Sequence, residues 1–419
     1  VMAEPNRWQP LALEISYTQN GQLLPIGPQE FIGPHWGDVT SFALPEPYIP
    51  GVPIDPGHPP YLHDPATDAE FKAKAVEVVE YSSLLDRRDG VSVDFSPASW
   101  GNAPLGSNDF AGHAFNPWTS LPYAPVEVPR ADFGRVLAEF WADGPDSETP
   151  PGHWNTLANS VVDHPEFERR LGGRGPELDP LEWDVKLYLA LNGAVHDAAI
   201  AAWGAKSHYD YVRPISMIRW MGGLGQSSDP TLPAYHPDGL PLVDGQVELI
   251  TAASAAPGER HAHLDDHVGE IAIRAWAGNP GDTASELGGV DWIRAVEWVP
   301  YQLSTFVTPS FAGYVSGHST FSRAAAEVLT AMTGSAYFPG GLGEWTVPAG
   351  SLHFEAGPSV DVPLQWATYY DAADQAGLSR LYGGIHVEAD DLRGRVMGSQ
   401  CGADAWVVAQ RYWDGTARG

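Results

Sequence analysis

The sequence predicts a mainly α protein, built of helical bundles behind an irregular Pro/Gly-rich N-terminal region. Three observations predict it. Apolar residues recur at helical spacing in long windows after residue 131, and little in that half alternates with period two. Pro/Gly-rich clusters such as Pro45-Glu46-Pro47 and Pro53-Ile54-Asp55-Pro56 crowd the first 130 residues. The 419 residues include 16 Trp, 16 Tyr and 14 Phe, which excludes a disordered chain. Cys401 is the only cysteine, which excludes a disulfide framework. With 23 Lys+Arg against 53 Asp+Glu the net charge is -30, which argues against general nucleic-acid binding. No apolar run approaches the roughly 18 residues that a membrane span needs.

Residues 1–130 read as a wrapping region, with a helix near Asp68–Leu85 and a short strand near Val91–Phe95. Residues 131–419 read as the main helical domain. Ala131–Asp143 sets Phe133, Val136, Leu137, Phe140 and Trp141 on one stripe, and Pro145 to Gly152 breaks it. Leu181–Trp203 is a long helix rich in Ala and Leu, followed by Tyr209–Trp220. Helices over Asp265–Ala277, Ser319–Thr333, Gln365–Tyr382 and Asp390–Tyr412 complete the set. Ser319 and Thr320 are placed to cap their helix and Gly334 to end it, while Asp390-Asp391 caps the last one. Trp276, Trp366 and Trp406 read as core. The start, Val1-Met2-Ala3-Glu4-Pro5, carries neither a basic nor an apolar leader, and a removed signal would leave no trace. Acidity and a single cysteine suit an ordinary cytosolic protein as well as a saline one, and the setting expected is secreted or periplasmic.

An acidic protein that holds a small anion must concentrate its cations. Lys72, Lys74, Lys186 and Lys206 are the only lysines. Lys206 stands seven residues before Arg213-Pro214, about two helical turns, so the two share a face if the stretch is helical. The alternative is an exposed pair of cations. Ser316-Gly317-His318 leads into an apolar helix and offers a hydroxyl, free backbone N–H groups and an imidazole to an oxyanion, or else is an ordinary capped turn. Arg380 lies six before His386, with Gly383-Gly384 allowing a bend between them; otherwise this is a helix end with a satisfied histidine.

In this order, Lys-x6-Arg-Pro, Ser-Gly-His and Ser-Arg-x5-His resemble the signature of vanadium-dependent haloperoxidases, shared with type-2 phosphatidic acid phosphatases. Phe140-Trp-Ala-Asp-Gly-Pro, Thr149-Pro-Pro-Gly-His-Trp154 and Thr308-Pro309-Ser310-Phe311 extend the resemblance over about residues 131–411. One departure is Val315, where the family has Pro, which loosens the turn without removing an oxygen-binding group. The resemblance implies helical bundles of the vanadium haloperoxidase type. It implies vanadate held by Lys206, Arg213, Arg380, Ser316 and the Gly317 N–H, with His386 bound to the metal. His318 is implied as acid–base group, and Lys206 as the group that polarises hydrogen peroxide. The implied reaction oxidises halide with hydrogen peroxide to hypohalous acid, which halogenates organic acceptors. The implied alternative is an acid phosphatase in which His386 forms a phosphohistidine and His318 protonates the leaving group. A homo-oligomer, dimer or larger, is also implied.

Trp203 and Phe311 match, by position, the aromatic residues near vanadate in fungal chloroperoxidases, and otherwise read as core packing. His263 and His267, with His261 nearby, could bind a divalent ion if helical, or sit in a polar loop. His196 and Asp197 read equally as partners of the site and as satisfied core groups. His208 lies on another helical face than Lys206. A vanadate- or phosphate-binding protein without turnover would need the cations but not His318. A ligating imidazole also needs an acceptor for its other ring nitrogen, and for His386 the sequence singles out no residue.

Overall fold

The computed structural model describes residues 4–13, 17, 22–24, 26–47, 49–142, 144 and 147–417. Val1–Ala3, Asp143 and Pro145, named above, lie outside the described residues. In the N-terminal part β1 (Ala12–Leu13) pairs with β2 (Gly27–Pro28). Helix α1 (Asp68–Ser83) follows and buries Phe71, Ala75, Val78 and Val79 along one face. The strand expected near residue 91 is β3 (Ser92–Asp94), antiparallel to β4 (Glu127–Pro129). Helix α2 (Arg130–Phe140) buries Phe133, Val136 and Leu137, the stripe that predicts it.

The expected break after α2 holds up to Thr149 among the described residues, but Pro150 to Gly152 open a helix, α3 (Pro150–Val162). Thr149 caps it by accepting from Gly152 N, and the two prolines fall in the first turn, where a missing N–H costs nothing. Helix α4 (Pro180–Tyr209) outruns its expected span and stops at Asp210, whose φ is 46°. Helix α5 (Pro214–Leu224) begins after Arg213, so the Tyr209–Trp220 helix is two helix ends joined by a turn.

The helix expected over Asp265–Ala277 is overturned. Ala262–His267 is a 3-10 turn, and Ile271–Trp276 is the central strand of an antiparallel sheet. The strands are β5 (Val247–Leu249), β6 (Ile271–Trp276) and β7 (Val290–Arg294), in that order. β-Branched Ile271 and Ile273 suit a strand, and pairing on both edges satisfies its backbone. Helix α6 (Gly317–Thr333) is capped by Ser316 rather than by Ser319 or Thr320, and Gly334 ends it at φ 75°. β8 (Gly343–Val347) pairs with β9 (Val362–Trp366), so Gln365 and Trp366 are strand, and α7 (Tyr369–Tyr382) starts after Thr368. The last helix is α8 (Glu388–Trp413). The protein is therefore a helical bundle with small sheets rather than all α.

Helices α4, α6 and α8 pack on one another, α7 packs on α6, and α2 on α7. A glycine ridge sets the α6–α8 approach. A Cβ at Gly394, Gly398 or Gly402 would lie 2.9, 2.3 or 2.6 Å from the carbonyl oxygens of Ser316, Thr320 and Ala324. The four-residue spacing on both helices keeps these contacts in line, and the first of them seats the Ser316 turn. Trp276 and Trp366 are buried in the core and Trp406 packs against it. Among the described residues no helix is long and apolar enough to cross a membrane.

Candidate oxyanion and acid–base site

The three cation and histidine motifs converge between α4, α6 and α8. Lys206, in the last turn of α4, is fully buried. Its Nζ donates to Ala312 O at 2.9 Å and to Gly313 O at 2.8 Å. An ammonium has three donors, so one remains. Arg213 precedes α5 and so shares no helix face with Lys206; the turn at Asp210 brings the two together. Its Nε donates to Phe311 O at 2.9 Å, and one terminal nitrogen donates to Ile385 O at 2.7 Å and lies 3.2 Å from His386 Nε2. The other terminal nitrogen is buried with no partner among the described residues. Arg380, on α7, donates to Ser379 Oγ at 3.0 Å and to Ala138 O at 2.9 Å.

Ser316 N donates to Asp390 O at 2.9 Å, so α8 holds the turn that Val315 was expected to loosen. The Ser316 hydroxyl accepts from Ser319 N at 3.3 Å and keeps a proton to donate. Gly317 opens α6, where the N–H groups and helix dipole favour an anion. Ser319 Oγ donates to Asp391 at 2.7 Å, and Asp391 pairs with Arg395, a buried brace for the same turn.

The acceptor missing from the sequence reading is Asp390. His386 Nδ1 lies 2.7 Å from its Oδ2, which also accepts from Val387 N at 3.3 Å. Asp390 thus caps α8 and orients the imidazole. Nδ1–H donates to the carboxylate, leaving a lone pair on Nε2 beside Arg213. His318 Nε2 lies 2.7 Å from Trp141 O, at the end of α2.

Electrostatics follow from burial. Burial and then Arg213 push Lys206 well down, and burial pushes Arg213 down to about 9. Burial also pushes Asp390 up to about 7, against the pull of Lys206 and Arg213. Both imidazoles are held well below the ordinary histidine value, first by burial, then by Arg380 at His318 and by Arg213 at His386. The cations are thus under-compensated, a deficit that one oxyanion would fill.

A cleft of about 350 Å³ ends on Gly317, His318, Arg380 and His386. Trp203 and Phe311 form part of its wall, 4.8 Å apart between ring centroids. Phe311 lies 5.2 Å from both Lys206 Nζ and the Arg213 guanidinium carbon. The N-terminal region fixes this wall, since Trp203 Nε1 donates to Ile32 O at 2.9 Å and Ile32 N to Ser310 O at 2.9 Å.

The other candidates lie elsewhere. Asp197 accepts from Phe42 N and Ala43 N at 2.7 Å each, so it tethers the N-terminal region, and His196 contacts Asp197. His208 is exposed. His261, His263 and His267 contact Ser254, the Trp292 carbonyl and Glu270 respectively. Among the described residues no three His, Cys, Asp or Glu side chains gather as a metal site.

A family model described as the VCPO second helical-bundle domain matches residues 186–415, more than half the chain. An apo-type bacterial vanadium-dependent chloroperoxidase is similar at 19 % identity and a TM-score of 0.61, over 99 % of this chain and 64 % of that one. The holo-type structure of a bacterial vanadium-dependent chloroperoxidase is similar at 18 % identity and a TM-score of 0.57, over 98 % of this chain and 62 % of that one. These likenesses show the fold, and the chain spans less than two thirds of those structures' lengths. No curated protein matches it. The family model, over the residues that build the cradle, carries the conclusion that the chain belongs to the vanadium-dependent haloperoxidase family.

Proposed function

We propose that the protein is a vanadate-dependent haloperoxidase that oxidises halide with hydrogen peroxide to hypohalous acid, which then halogenates organic acceptors. One observation carries the reading: a terminal nitrogen of Arg213 is buried with no partner among the described residues, within a cradle shared with Lys206 and Arg380. Such a donor is costly to bury unless an anion completes it. The residues present therefore fit vanadate. Lys206, Arg213, Arg380, Ser316 and the Gly317 N–H would hold its oxygens, and His386 Nε2 would bind the metal. Bound vanadate supplies a Lewis-acidic centre that activates peroxide toward halide without changing oxidation state.

The remaining work falls to the chain's own groups. Asp390 keeps the proton on His386 Nδ1. The third Lys206 donor polarises a peroxide oxygen. Neutral His318 takes a proton from incoming peroxide and returns it to the departing oxygen. Trp203 and Phe311 exclude water from one wall, where the halide would approach. Cys401 is buried, and burial pushes its thiol up, which suits a chain exposed to hypohalous acid. A secreted or periplasmic setting stays part of the proposal on the acidity of the chain alone. We take residues 1–130 as the wrapping region and 131–419 as the catalytic domain. Exposed Leu181, Val185 and Leu189, at four-residue spacing on α4, support a homo-oligomer.

The test is a chloride, bromide and iodide panel with hydrogen peroxide, with and without vanadate, beside hydrolysis of an aryl phosphate. Peroxide- and vanadate-dependent halide oxidation is the expected result. Ester hydrolysis with no halide oxidation would assign the site to the phosphatase chemistry.

A further inference from the structure

A second cavity, of about 370 Å³, adjoins the cleft, and Ala142, Gly144, Leu303 and Phe354 line both. Its size is that of a small-molecule site, about 300–1,000 Å³. Its walls are rich in rings. Phe140 meets His153 at 4.7 Å and 79°, and Trp345 at 5.7 Å and 50°. Trp345 is 41 % exposed, so its indole is only partly covered by the protein itself. Ring pairs at about 4.5–7 Å are favourable, so a further ring is readily accommodated.

The charges select among ring compounds. Among the described residues no Lys or Arg lines this cavity, whereas Glu139 and Glu148 do. The Glu139 carboxylate is occupied by His353 N, Phe354 N and the Tyr301 hydroxyl, and burial pushes it up to about 7, so the fixed negative charge here is that of Glu148. Glu148 accepts from the Thr156 hydroxyl, which holds it below the usual carboxylate range, so it stays anionic. An anionic guest meets repulsion and no counter-charge. The exposed imidazole of His353 can bond the O–H or N–H of a neutral one.

We infer that this cavity binds the organic acceptor, and that the acceptor is a neutral, electron-rich arene such as a phenol or an indole. The inference rests on the proposed function for the oxidant alone. Hypohalous acid, formed from halide and hydrogen peroxide, passes along the shared wall to the ring. A carbon–halogen bond forms from a ring electron pair as the halogen–oxygen bond breaks. The ring proton leaves with the departing hydroxide as water. Halogen falls from +1 to -1, and the ring carbon supplies the two electrons. Held against Phe140 and Trp345, the ring would expose fewer of its carbons than it does in solution.

Ser351→Trp at the exposed rim, where the hydroxyl donates to Pro348 O, fills the cavity without touching the oxyanion site. Val347→Trp fills it from β8 and serves if the first variant folds poorly. Calorimetric titration of the protein without vanadate should show saturable binding of indole and phenol, none of benzoate, and at least tenfold weaker binding in a filled variant. With vanadate, peroxide and bromide, the wild type should give a phenol isomer ratio unlike that of free hypobromite. A filled variant should return the free-reagent ratio at an unchanged rate of iodide oxidation. Absence of saturable binding, equal binding of benzoate, or binding unaffected in both filled variants would overturn the inference. Failure of iodide oxidation in the wild type would overturn the proposed function instead, and the binding arm would still decide the cavity.

Discussion

His386 Nδ1 lies 2.7 Å from Asp390 Oδ2, four residues along the chain, and both groups are buried. The contact fixes which ring nitrogen carries the proton and therefore which one faces the cradle. Asp390→Asn keeps the shape and removes the charge. Partners of this kind are worth roughly 10–100-fold in metal affinity. Equilibrium titration with vanadate should show a loss of that order in the variant. An unchanged affinity would mean that packing alone orients the ring.

The acid side of the stability profile carries the signature of the buried imidazoles. His318 sits well below the ordinary value of about 6.5 when folded, first through burial and then through Arg380. As pH falls below about 6.5 the unfolded chain binds the proton and the folded one does not. The stability tied to neutral His318 is thus complete above that pH and is lost as pH falls through the folded value. His318→Gln removes this loss. The thermal midpoint of the variant should gain on that of the wild type between about pH 7 and pH 5, and the difference should be constant above pH 7.5. A pH-independent difference throughout would contradict the placement of His318.

Phe311 presents its ring to both Lys206 and Arg213 at 5.2 Å. A desolvated cation–π contact is worth about 2 kcal/mol, and an imidazole in its place adds a titratable group. Phe311→His should shift the relative kcat/KM for chloride, bromide and iodide by about tenfold. Steady-state kinetics that are unchanged for all three halides would return Phe311 to plain packing.

The glycine ridge should be unforgiving. A Cβ at Gly398 would meet Thr320 O at 2.3 Å, so α6 and α8 must separate. Overpacking of this kind costs about 1–3 kcal/mol. Gly398→Ala should lower the stability to denaturant by that amount and, by shifting Ser316 against Asp390, weaken vanadate binding as well. A variant as stable as the wild type would show that the helices are not in contact there.

The cradle was legible because Lys206 is one of only four lysines in this acidic chain and the three motifs stand in fixed spacing. The structure brings Lys206, Arg213, His318, Arg380 and His386 together, with Ser316 on the turn that opens α6. Asp390 was read only as a helix cap; its second role is a local contact, four residues after His386 in the first turn of α8, that the cap reading left out. The helix α3 was hidden because Pro150-Pro151 reads as a breaker, although Thr149 two residues before Pro151 is a capping signal. The strand Ile271–Trp276 was taken for a helix because its apolar residues are nearly continuous, and burial on both faces removes the period-two alternation. Gly394, Gly398 and Gly402 were visible as a four-residue repeat, yet only the packing of α6 gives that repeat its meaning. Asp197 went to the N-terminal region rather than to the site, a tertiary contact across more than 150 positions.

The most direct test is the initial rate of iodide oxidation by hydrogen peroxide as vanadate is titrated into metal-free protein, run alongside His386→Ala. The account predicts a rate that rises from zero, saturates at a single vanadate per chain, and is absent in the variant. A rate independent of vanadate, or none at any concentration while an aryl phosphate is hydrolysed, would contradict it.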